Sequence, residues 1–202
     1  MKTLYPSRLA AVGLFVLAGA AFGQPVYDID ASHSSAQFSV RHMMVSNVRG
    51  EFAKLSGTVV YDPANLSATK INATIDAASI STRNEKRDAH LRSPDFFDTA
   101  KFPTITFVSK KAWKQGGVLQ VDGALTMHGV TRDVVLRVDG PTPETKDPWG
   151  NARIGASATT KLNRKEWGLA WNKALESGGV LVGEEVAITI DVEAVKRKPA
   201  AR

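Results

Sequence analysis

The sequence predicts an all-β fold, either an antiparallel sandwich or a barrel, and three observations support that prediction. Apolar and polar residues alternate with a period of two along many short segments. Turn-forming pairs such as Asp62-Pro63 and Gly178-Gly179 separate these segments. Short turns take the places where the crossover helices of a parallel sheet would lie, so hairpin connections are favoured over βαβ units.

The alternation is clearest in segment 35–42. There the apolar Ala36, Phe38 and Val40 alternate with polar neighbours, the pattern of a strand with one face in the core and the other in water. His128-Gly129 predicts the turn of a hairpin between two further strands. The remaining predicted strands are segments 70–77, 104–108, 118–127, 132–139, 153–162 and 185–194.

Segment 82–98 interrupts this pattern, since it is charged and rich in helix-forming residues. Asn84 is a suitable N-cap for a short helix that ends near Arg92. Ser93-Pro94 predicts a second helix start, because proline is tolerated at the first helical position. We expect this helical insertion to cover an end or an exposed edge of the β structure with its apolar side. The apolar residues concerned are Leu91, Phe96 and Phe97.

The first 23 residues have the layout of a secretory signal peptide. Basic residues precede an uncharged apolar run at 9–21, and small residues precede a cleavage point before Gln24. The run is well short of the ~20 residues of a membrane-spanning helix, which disfavours an uncleaved anchor. We therefore predict one exported domain, residues 24–195, followed by a basic disordered tail at 196–202.

The composition limits the classes of function. The chain has no cysteine, so the fold cannot use disulfides and must depend on its core. Its formal net charge of +6 is modest, and no basic cluster repeats on one face, so we expect no nucleic-acid partner. The four histidines lack the spacing of a metal site on one element, and we expect no metal.

Segment 87–98 gathers several titratable groups, among them Arg87, Asp88 and His90. Such crowding is typical of catalytic sites. The interpretation that we prefer is structural: arginine–carboxylate pairs and helix caps that hold the insertion against the β structure. The sequence contains no nucleophile-elbow motif and no glycine-rich phosphate loop, so no catalytic residue is predicted.

Ordered motifs extend along nearly the whole chain after residue 26. The most specific is RDAHLRSPDFFD at 87–98, followed by FPTITF at 102–107. The others are YDIDASHS at 27–34, FSVRHMMV at 38–45, GEF at 50–52, GALTMHGVT at 123–131, NRKEWGL at 163–169 and GEEV at 183–186. Together, from about Tyr27 to Ala194, they resemble the YceI-like family of exported, lipocalin-like, polyisoprenoid-binding proteins.

The resemblance implies an extended antiparallel, lipocalin-like β-barrel of about eight strands with a short helical insertion. It also implies residence in the periplasm, no catalytic residues, and no cofactor other than a bound lipid. The implied ligand is a polyisoprenoid or a similar long-chain fatty amphiphile, with an isoprenoid quinone as one candidate. A barrel of this size has room inside for one such ligand.

Alternation identifies the residues expected to line that ligand site. His42 shares the inward side of its strand, and it is either a contact for the ligand headgroup or a histidine satisfied by a backbone carbonyl. Some inward positions carry small residues that leave room beside the larger ones, namely Ala36, Ala73, Ala77 and Gly123. The predicted ligand-binding residues are Phe38, Val40, His42, Phe52, Ile71, Ile75, Phe97, Phe107, Leu125, Leu136, Trp171 and Ile188.

Two other functions are consistent with the sequence alone. One is an enzyme acting on such a lipid, with His42 or the 87–98 segment as acid or base. The other is a stress-protective interaction protein without a functional cavity, which works through its outer strand faces and which a barrel filled by its own side chains would favour. Trp167 and Trp171 belong either to the barrel core or to its rim, where they would serve a transient membrane contact. The sequence leaves both a monomer and a homodimer open.

Overall fold

In the computed structural model, which describes residues 24–176 and 178–198, twelve strands in antiparallel pairs form one sheet that closes on itself. The strands are β1 (Val26–Ile29), β2 (Ser35–His42), β3 (Ser46–Phe52), β4 (Leu55–Val60), β5 (Lys70–Asp76), β6 (Ile80–Ser81), β7 (Thr104–Gln115), β8 (Val118–Met127), β9 (Val130–Asp139), β10 (Thr145–Lys146), β11 (Ala152–Asn163) and β12 (Val182–Lys196). The α-helix within this part of the chain is α1 (Glu85–Arg92), and short 3-10 turns lie at Leu66–Ala68, Ala77–Ser79 and Arg164–Trp167. No helix there is long and apolar enough to cross a membrane. The predicted signal peptide lies outside the described residues.

Eight of these strands form the barrel wall. Their order around it is β11, β9, β8, β7, β5, β4, β1 and β12. Strand β11 then pairs with β12 at eleven consecutive positions, from Arg153–Val195 to Asn163–Glu185, and this pairing closes the circle. The expected fold class, an antiparallel barrel of about eight strands with a short helical insertion, is confirmed.

The barrel is extended on one side because β12 is long enough to pair with two strands in succession along one edge. Its last residues, Ala194 to Lys196, pair with β1, and its earlier part pairs with β2. Strands β1 and β2 therefore act as one strand that is interrupted at 30–34. Strands β4 and β3 continue each other in the same way, since β1 pairs with β4 and β2 with β3. The β2–β3 hairpin thus makes the wall taller on this side.

The β8–β9 hairpin turns at His128 and Gly129, as the sequence predicted. Both residues have left-handed backbone conformations, with φ of 51° and 74°, which the two-residue turn of a tight hairpin requires. The ring of His128 lies 3.1 Å from the carbonyl oxygen of Trp167 through its Nδ1. The turn is thereby attached to the 3-10 turn that follows β11.

Strands β9 and β11 pair over only three positions, 137–139 with 157–159. Beyond them, the 3-10 turn after β11 lies against β9, where Arg132 donates to the carbonyl of Glu166 at 3.4 Å. Trp167 of this turn is 1% exposed, and its indole N–H donates to the carbonyl of Leu125 at 3.2 Å. Trp167 therefore belongs to the barrel core and not to its rim.

Two inward glycines make room for phenylalanine rings. A Cβ atom on Gly50 would lie 2.4 Å from the ring of Phe38, and one on Gly123 would lie 2.4 Å from the ring of Phe107. Glycine lets an aromatic ring of a neighbouring strand lie across the backbone. The expectation that Gly123 enlarges the interior is therefore wrong. The same expectation for Ala77 is also wrong, because Ala77 is buried in a 3-10 turn and does not lie on a strand.

The insertion begins as predicted, since the side chain of Asn84 accepts a hydrogen bond from the N–H of Arg87 at 3.0 Å. The second helix predicted at Ser93-Pro94 is wrong, because the segment there forms turns. The N–H of Phe97 bonds back to the carbonyl of Leu91 at 3.0 Å, which folds the chain against the end of α1.

Segment 87–98 holds the insertion to the barrel, but not through the arginine–carboxylate pairs that we expected. The buried Asp88 accepts hydrogen bonds from the N–H and the hydroxyl of Thr82 at 2.8 and 2.5 Å. Arg87 and Arg92 donate to backbone carbonyls of segment 78–82 at 2.8 to 3.0 Å. The arginines bond to carbonyls because segment 78–82 makes few hydrogen bonds to neighbouring strands. Its buried carbonyl groups therefore need side-chain donors.

The β structure extends past residue 195. Strand β12 continues through Lys196, and Arg197 forms an ion pair with Asp28 at 2.5 Å. Residues 199–202 of the predicted tail lie outside the described residues.

Arg153 on β11 is the centre of an ion-pair cluster that ties β11 to β12 and to the chain before β2. Its guanidinium lies 2.7 Å from Asp30, 2.9 Å from Asp147 and 2.5 Å from Glu193. The side chains of Arg153 and Asp30 are each 17% exposed, so this cluster is better shielded from water than the exposed pairs elsewhere.

Two carboxyl groups of this cluster have depressed pKa values. The hydroxyl of Ser32, followed by the guanidinium of Arg153, holds the pKa of Asp30 far below its ordinary value. Burial raises the pKa of Asp147, but hydrogen bonds from Asn151 and Arg153 outweigh that effect and bring the pKa to about 2. Both groups therefore stay ionised in the folded protein under mildly acidic conditions.

We expect the cluster to make stability depend on pH. A depressed carboxyl pKa contributes stability above the unfolded value of about 4, and that contribution is lost as the pH falls toward about 2. Arg153→Met should lower the urea midpoint at neutral pH. On acidification its free energy of unfolding should fall by less than that of the wild type. Lys54→Met, which removes an exposed pair with Asp76, is the control and should change little. Identical pH dependence of unfolding for the wild type and Arg153→Met would contradict this account.

Candidate functional site

The barrel encloses a cavity of about 190 Å³. A single buried water needs only ~10–15 Å³, so this space is far larger than a packing defect. All eight strands of the wall contribute side chains to it, together with β2 and β3. The cavity is therefore a property of the whole barrel rather than of one loop.

The side chains of the protein do not fill this space. Ile188 and Ile190 of β12 belong to the cavity wall, yet both are only partly buried. On the neighbouring β11 the lining positions include Ala156 and Ala158, which have the smallest side chains that a strand can offer short of glycine. The filled barrel that would favour the interaction-protein alternative is not what the described residues form.

Eight of the twelve predicted ligand-binding residues lie together in the cavity wall. Each is at an inward position of its strand, and seven strands contribute them. They are Phe38, Phe52, Ile71, Ile75, Phe107, Leu125, Leu136 and Ile188. Their contact with a ligand stays a prediction.

Val40 and His42 do not reach the cavity, because it ends at Phe38 on the same strand. The ring of Phe38 packs against Phe52 with centroids 5.9 Å apart, and Phe52 packs edge-on against Phe97 at 5.5 Å. These three rings, here called the aromatic plug, close this end of the cavity. Phe97 is the outer ring of the plug and does not line the cavity. Alternation gives the face of a residue but not how far the cavity extends along the strand.

Trp171 also lies outside the cavity wall. Its ring packs against His90 at 4.8 Å and against Phe96 at 5.2 Å between centroids. His90 in turn lies 2.8 Å from Asp95 through its Nε2. This cluster fastens the loop after β11 to the insertion, so Trp171 packs against the closed end instead of standing at a rim.

Sequence reasoning missed further lining residues. Val121 has the same parity as Leu125, and Ile105 the same parity as Phe107, so the alternation already used could have found them. Others lie on β1 and β4, where no comparable signal exists. Strand β1 has four residues, and β4 is interrupted by Gly57, so neither shows a full alternating pattern.

The surface that the wall turns toward the cavity is almost entirely hydrocarbon. None of the described residues that line it carries a charge. A wall of this kind can solvate an apolar chain, and it holds no acid or base placed for proton transfer. The lining residues with polar side chains, Gln37, Tyr61, Thr69, Thr106 and Thr160, turn almost no polar surface toward the cavity.

The structure brings together one set of metal-type ligands that the sequence did not indicate. One ligand atom each from Asp30, His33 and Glu193 lies within 4.8 Å of the others. Arg153 donates to both carboxylates, so a positive charge already faces them. The group is accounted for as part of the ion-pair cluster.

A protein-family model of the YceI-like domain matches residues 27–194. The chain belongs to the YceI-like family. Similar curated proteins include a UPF0312 protein of Vibrio cholerae, 38% identical over 169 residues, with 83% of this chain and 88% of the relative covered. A UPF0312 protein of Staphylococcus aureus is 38% identical over 168 residues, with 83% of this chain and 95% of the relative covered.

Solved structures share the YceI-like fold. A Campylobacter jejuni YceI protein is 32% identical with a TM-score of 0.65, covering 78% of this chain and 90% of its own. BcnA of Burkholderia cenocepacia is 23% identical with a TM-score of 0.70, covering 82% and 98%. A polyisoprenoid-binding domain of Saccharophagus degradans is 18% identical with a TM-score of 0.61, covering 85% and 98%. The last two comparisons show similarity of fold alone.

Partly filling the cavity of this YceI-like barrel should reduce its affinity for apolar molecules. Ala158→Leu adds three carbons at an inward position, and we expect it to weaken binding of an apolar fluorescent dye by about tenfold. Its urea midpoint should change little, because the added carbons enter available space. Thr159→Leu on the outer face of the same strand is the matched control. Equal dye binding by the two variants would place the dye elsewhere.

Proposed function

We propose that the protein is an exported carrier, resident in the periplasm, that encloses a polyisoprenoid or a similar long-chain amphiphile. An isoprenoid quinone is one candidate for this bound lipid, called the guest below. The observation that carries the proposal is the uncharged, apolar cavity inside the barrel. The signal-peptide layout of residues 1–23 supports the location.

The energetics favour an apolar chain as the guest. Transfer of hydrocarbon from water gains ~0.8 kcal/mol per buried CH₂. A five-carbon isoprene unit can therefore contribute up to about 4 kcal/mol, before the cost of ordering the chain is subtracted. Few polar contacts are then needed for useful affinity, in agreement with a wall that turns almost no polar surface toward the cavity.

The known proteins support the class of ligand indirectly. The Saccharophagus degradans domain is described as polyisoprenoid-binding, and this chain shares its fold. Fold alone does not transfer a ligand from one protein to another. The apolar wall of this chain supplies the independent chemical reason for the same class of guest.

The proposed role is binding rather than catalysis. The enzyme hypothesis relied on His42 or segment 87–98, and neither contributes a side chain to the cavity wall. In that segment Asp88 and the two arginines are used in holding the insertion to the barrel.

Extraction provides the direct test. Organic extracts of the protein purified from its native compartment should contain a long-chain isoprenoid detectable by mass spectrometry. Delipidated protein should bind a series of prenyl alcohols with affinity that rises with each isoprene unit and levels off when the cavity is full. Ala158→Leu should level off at a shorter chain, with Thr159→Leu as the control. The proposal would be contradicted if the extract contained no long-chain amphiphile and the delipidated protein bound none of the prenyl alcohols.

The proposed function includes transient contact with a membrane, because the guest resides in one. The β2–β3 turn presents Met43, Met44 and Val45, which are 45%, 54% and 77% exposed; we call these residues the hairpin tip. Met43 and Met44 have φ of 49° and 61°, a conformation that is uncommon for such side chains and is often functional. Arg41 and Arg49 are exposed on the same hairpin. Within the described residues neither forms an ion pair. Their positive charges therefore suit an anionic lipid surface.

Replacing the hairpin tip with serine at all three positions should weaken co-sedimentation with phosphatidylglycerol-containing vesicles by about tenfold. Binding by the wild type should also fall as salt is raised, because the arginines act over a short screened distance. Trp149→Ser removes an 80% exposed side chain elsewhere and is the control. If the tip variant and Trp149→Ser bind vesicles alike, the hairpin is not the contact.

A further inference from the structure

The turn between β2 and β3 places two methionines at its corner. The N–H of Val45 donates to the carbonyl of His42 at 3.1 Å, which makes Met43 and Met44 the central residues of a tight turn. Both have left-handed backbone conformations, which in tight turns favour glycine and asparagine. The N–H of Met43 also donates to the carbonyl of Leu181 at 2.8 Å, so the turn is held in place. Two long apolar side chains at such positions point to a role for the side chains themselves.

The side chains of these two methionines are open to solvent. Met43 and Met44 are 45% and 54% exposed, whereas Met127 of β8 is 8% exposed and belongs to the main core. Met1 lies outside the described residues. The chain has no cysteine, so methionine supplies all of its sulfur. Since an oxidant must reach a sulfur atom in order to react with it, exposure separates the two methionines of the turn from Met127.

The loop before β12 comes close to Met44 through a glycine. A Cβ atom on Gly179 would lie 3.7 Å from the Cγ atom of Met44, so this residue approaches the methionine without a side chain that could cover it. The φ of Gly179 is 90°, a conformation that residues with a Cβ atom rarely adopt. The accessibility of Met44 is therefore supported by the backbone conformation of the neighbouring loop.

The chemistry available to an exposed methionine is oxygen transfer from a peroxide. The thioether sulfur attacks one oxygen of hydrogen peroxide, an S–O bond forms and the O–O bond breaks. The sulfur is oxidised by two electrons, and the peroxide leaves as water. The product, methionine sulfoxide, is polar, whereas the thioether is apolar. Because both side chains of the turn already lie in solvent, the fold can accept the two added oxygen atoms without repacking its core.

We propose that Met43 and Met44 are oxidation sites whose conversion to sulfoxides by a peroxide releases the hairpin tip from a lipid surface. The second part of this inference rests on the proposed function, which includes the membrane contact of the tip. Val45 and the exposed arginines of the hairpin remain after oxidation, so the residual attraction is mainly electrostatic. The cavity ends at Phe38 on the same strand, so the oxidised carrier keeps its guest.

Peptide mapping by mass spectrometry tests the oxidation sites. Folded protein is treated with hydrogen peroxide, and the gain of one oxygen atom is followed at each methionine. Met43 and Met44 should react about tenfold faster than Met127, because the fold shields only Met127. In urea-unfolded protein the three rates should become similar, which shows that the difference comes from the fold. Equal rates at the three positions in folded protein would overturn the assignment of the sites.

Co-sedimentation with phosphatidylglycerol-containing vesicles tests the consequence of oxidation. Protein that carries both sulfoxides should bind about tenfold more weakly than untreated protein, with unchanged urea midpoint and unchanged binding of an apolar dye. Methionine sulfoxide reductases, one for each sulfoxide epimer, should restore vesicle binding.

Variants assign the effect to the two sulfur atoms. The double variant Met43→Leu with Met44→Leu keeps an apolar tip without sulfur, so it should bind vesicles equally well before and after peroxide. The double variant Met43→Gln with Met44→Gln places polar side chains at the tip and should bind weakly without any peroxide. Trp149→Ser, away from the tip, should behave like the wild type in both conditions.

Other outcomes contradict the proposals at different points. If doubly oxidised protein binds vesicles as well as untreated protein does, the release by oxidation is overturned and the membrane contact is kept. The same holds if peroxide weakens vesicle binding of the double leucine variant as much as that of the wild type. Failure of untreated wild-type protein to bind the vesicles overturns the membrane contact and with it the release, while the oxidation rates still decide the sites.

Discussion

Strands β11 and β12 pair along eleven positions, and this contact turns an open sheet into a closed barrel. Without it, both strands would leave long edges open to other chains. With it, the inward faces of eight strands surround one volume, and the small residues Ala156 and Ala158 decide how much of that volume side chains occupy. The length of β12 matters as well, because β12 pairs with both β1 and β2 along its other edge and so places the β2–β3 hairpin beside the barrel.

The closed end is assembled from aromatic residues that come from separate parts of the chain. The aromatic plug combines two barrel residues with Phe97 of the insertion, and Trp171 packs on the far side of the same insertion against His90 and Phe96. Phe52 with Phe97, and His90 with Trp171, are held edge to face, an arrangement that aromatic pairs favour and that suits a closed end. Polar groups of the insertion bond to backbone carbonyls instead of facing the interior, and this keeps charge away from the cavity.

Alternation predicted the inward face of most strands, and the eight lining residues followed from it because parity is a local property. The limits of the cavity could not be predicted in this way. Val40 and His42 have the right parity but lie beyond a plug that depends on Phe97, a residue more than fifty positions later in the sequence. The cluster around Arg153 depends on equally distant contacts, since Asp30 and Glu193 lie far from Arg153 in the sequence.

The size of the cavity has a consequence for the molecule as a whole. Apolar volume that side chains leave unfilled costs about 24 cal/mol per Å³, which for about 190 Å³ amounts to about 5 kcal/mol. Domains of ordinary stability have only ~5–15 kcal/mol in total. A guest in this position therefore completes the hydrophobic core, because it fills volume that the side chains of the protein leave empty. Loaded and unloaded carriers would differ in resistance to unfolding and proteolysis, so the lifetime of each molecule would report whether it holds cargo.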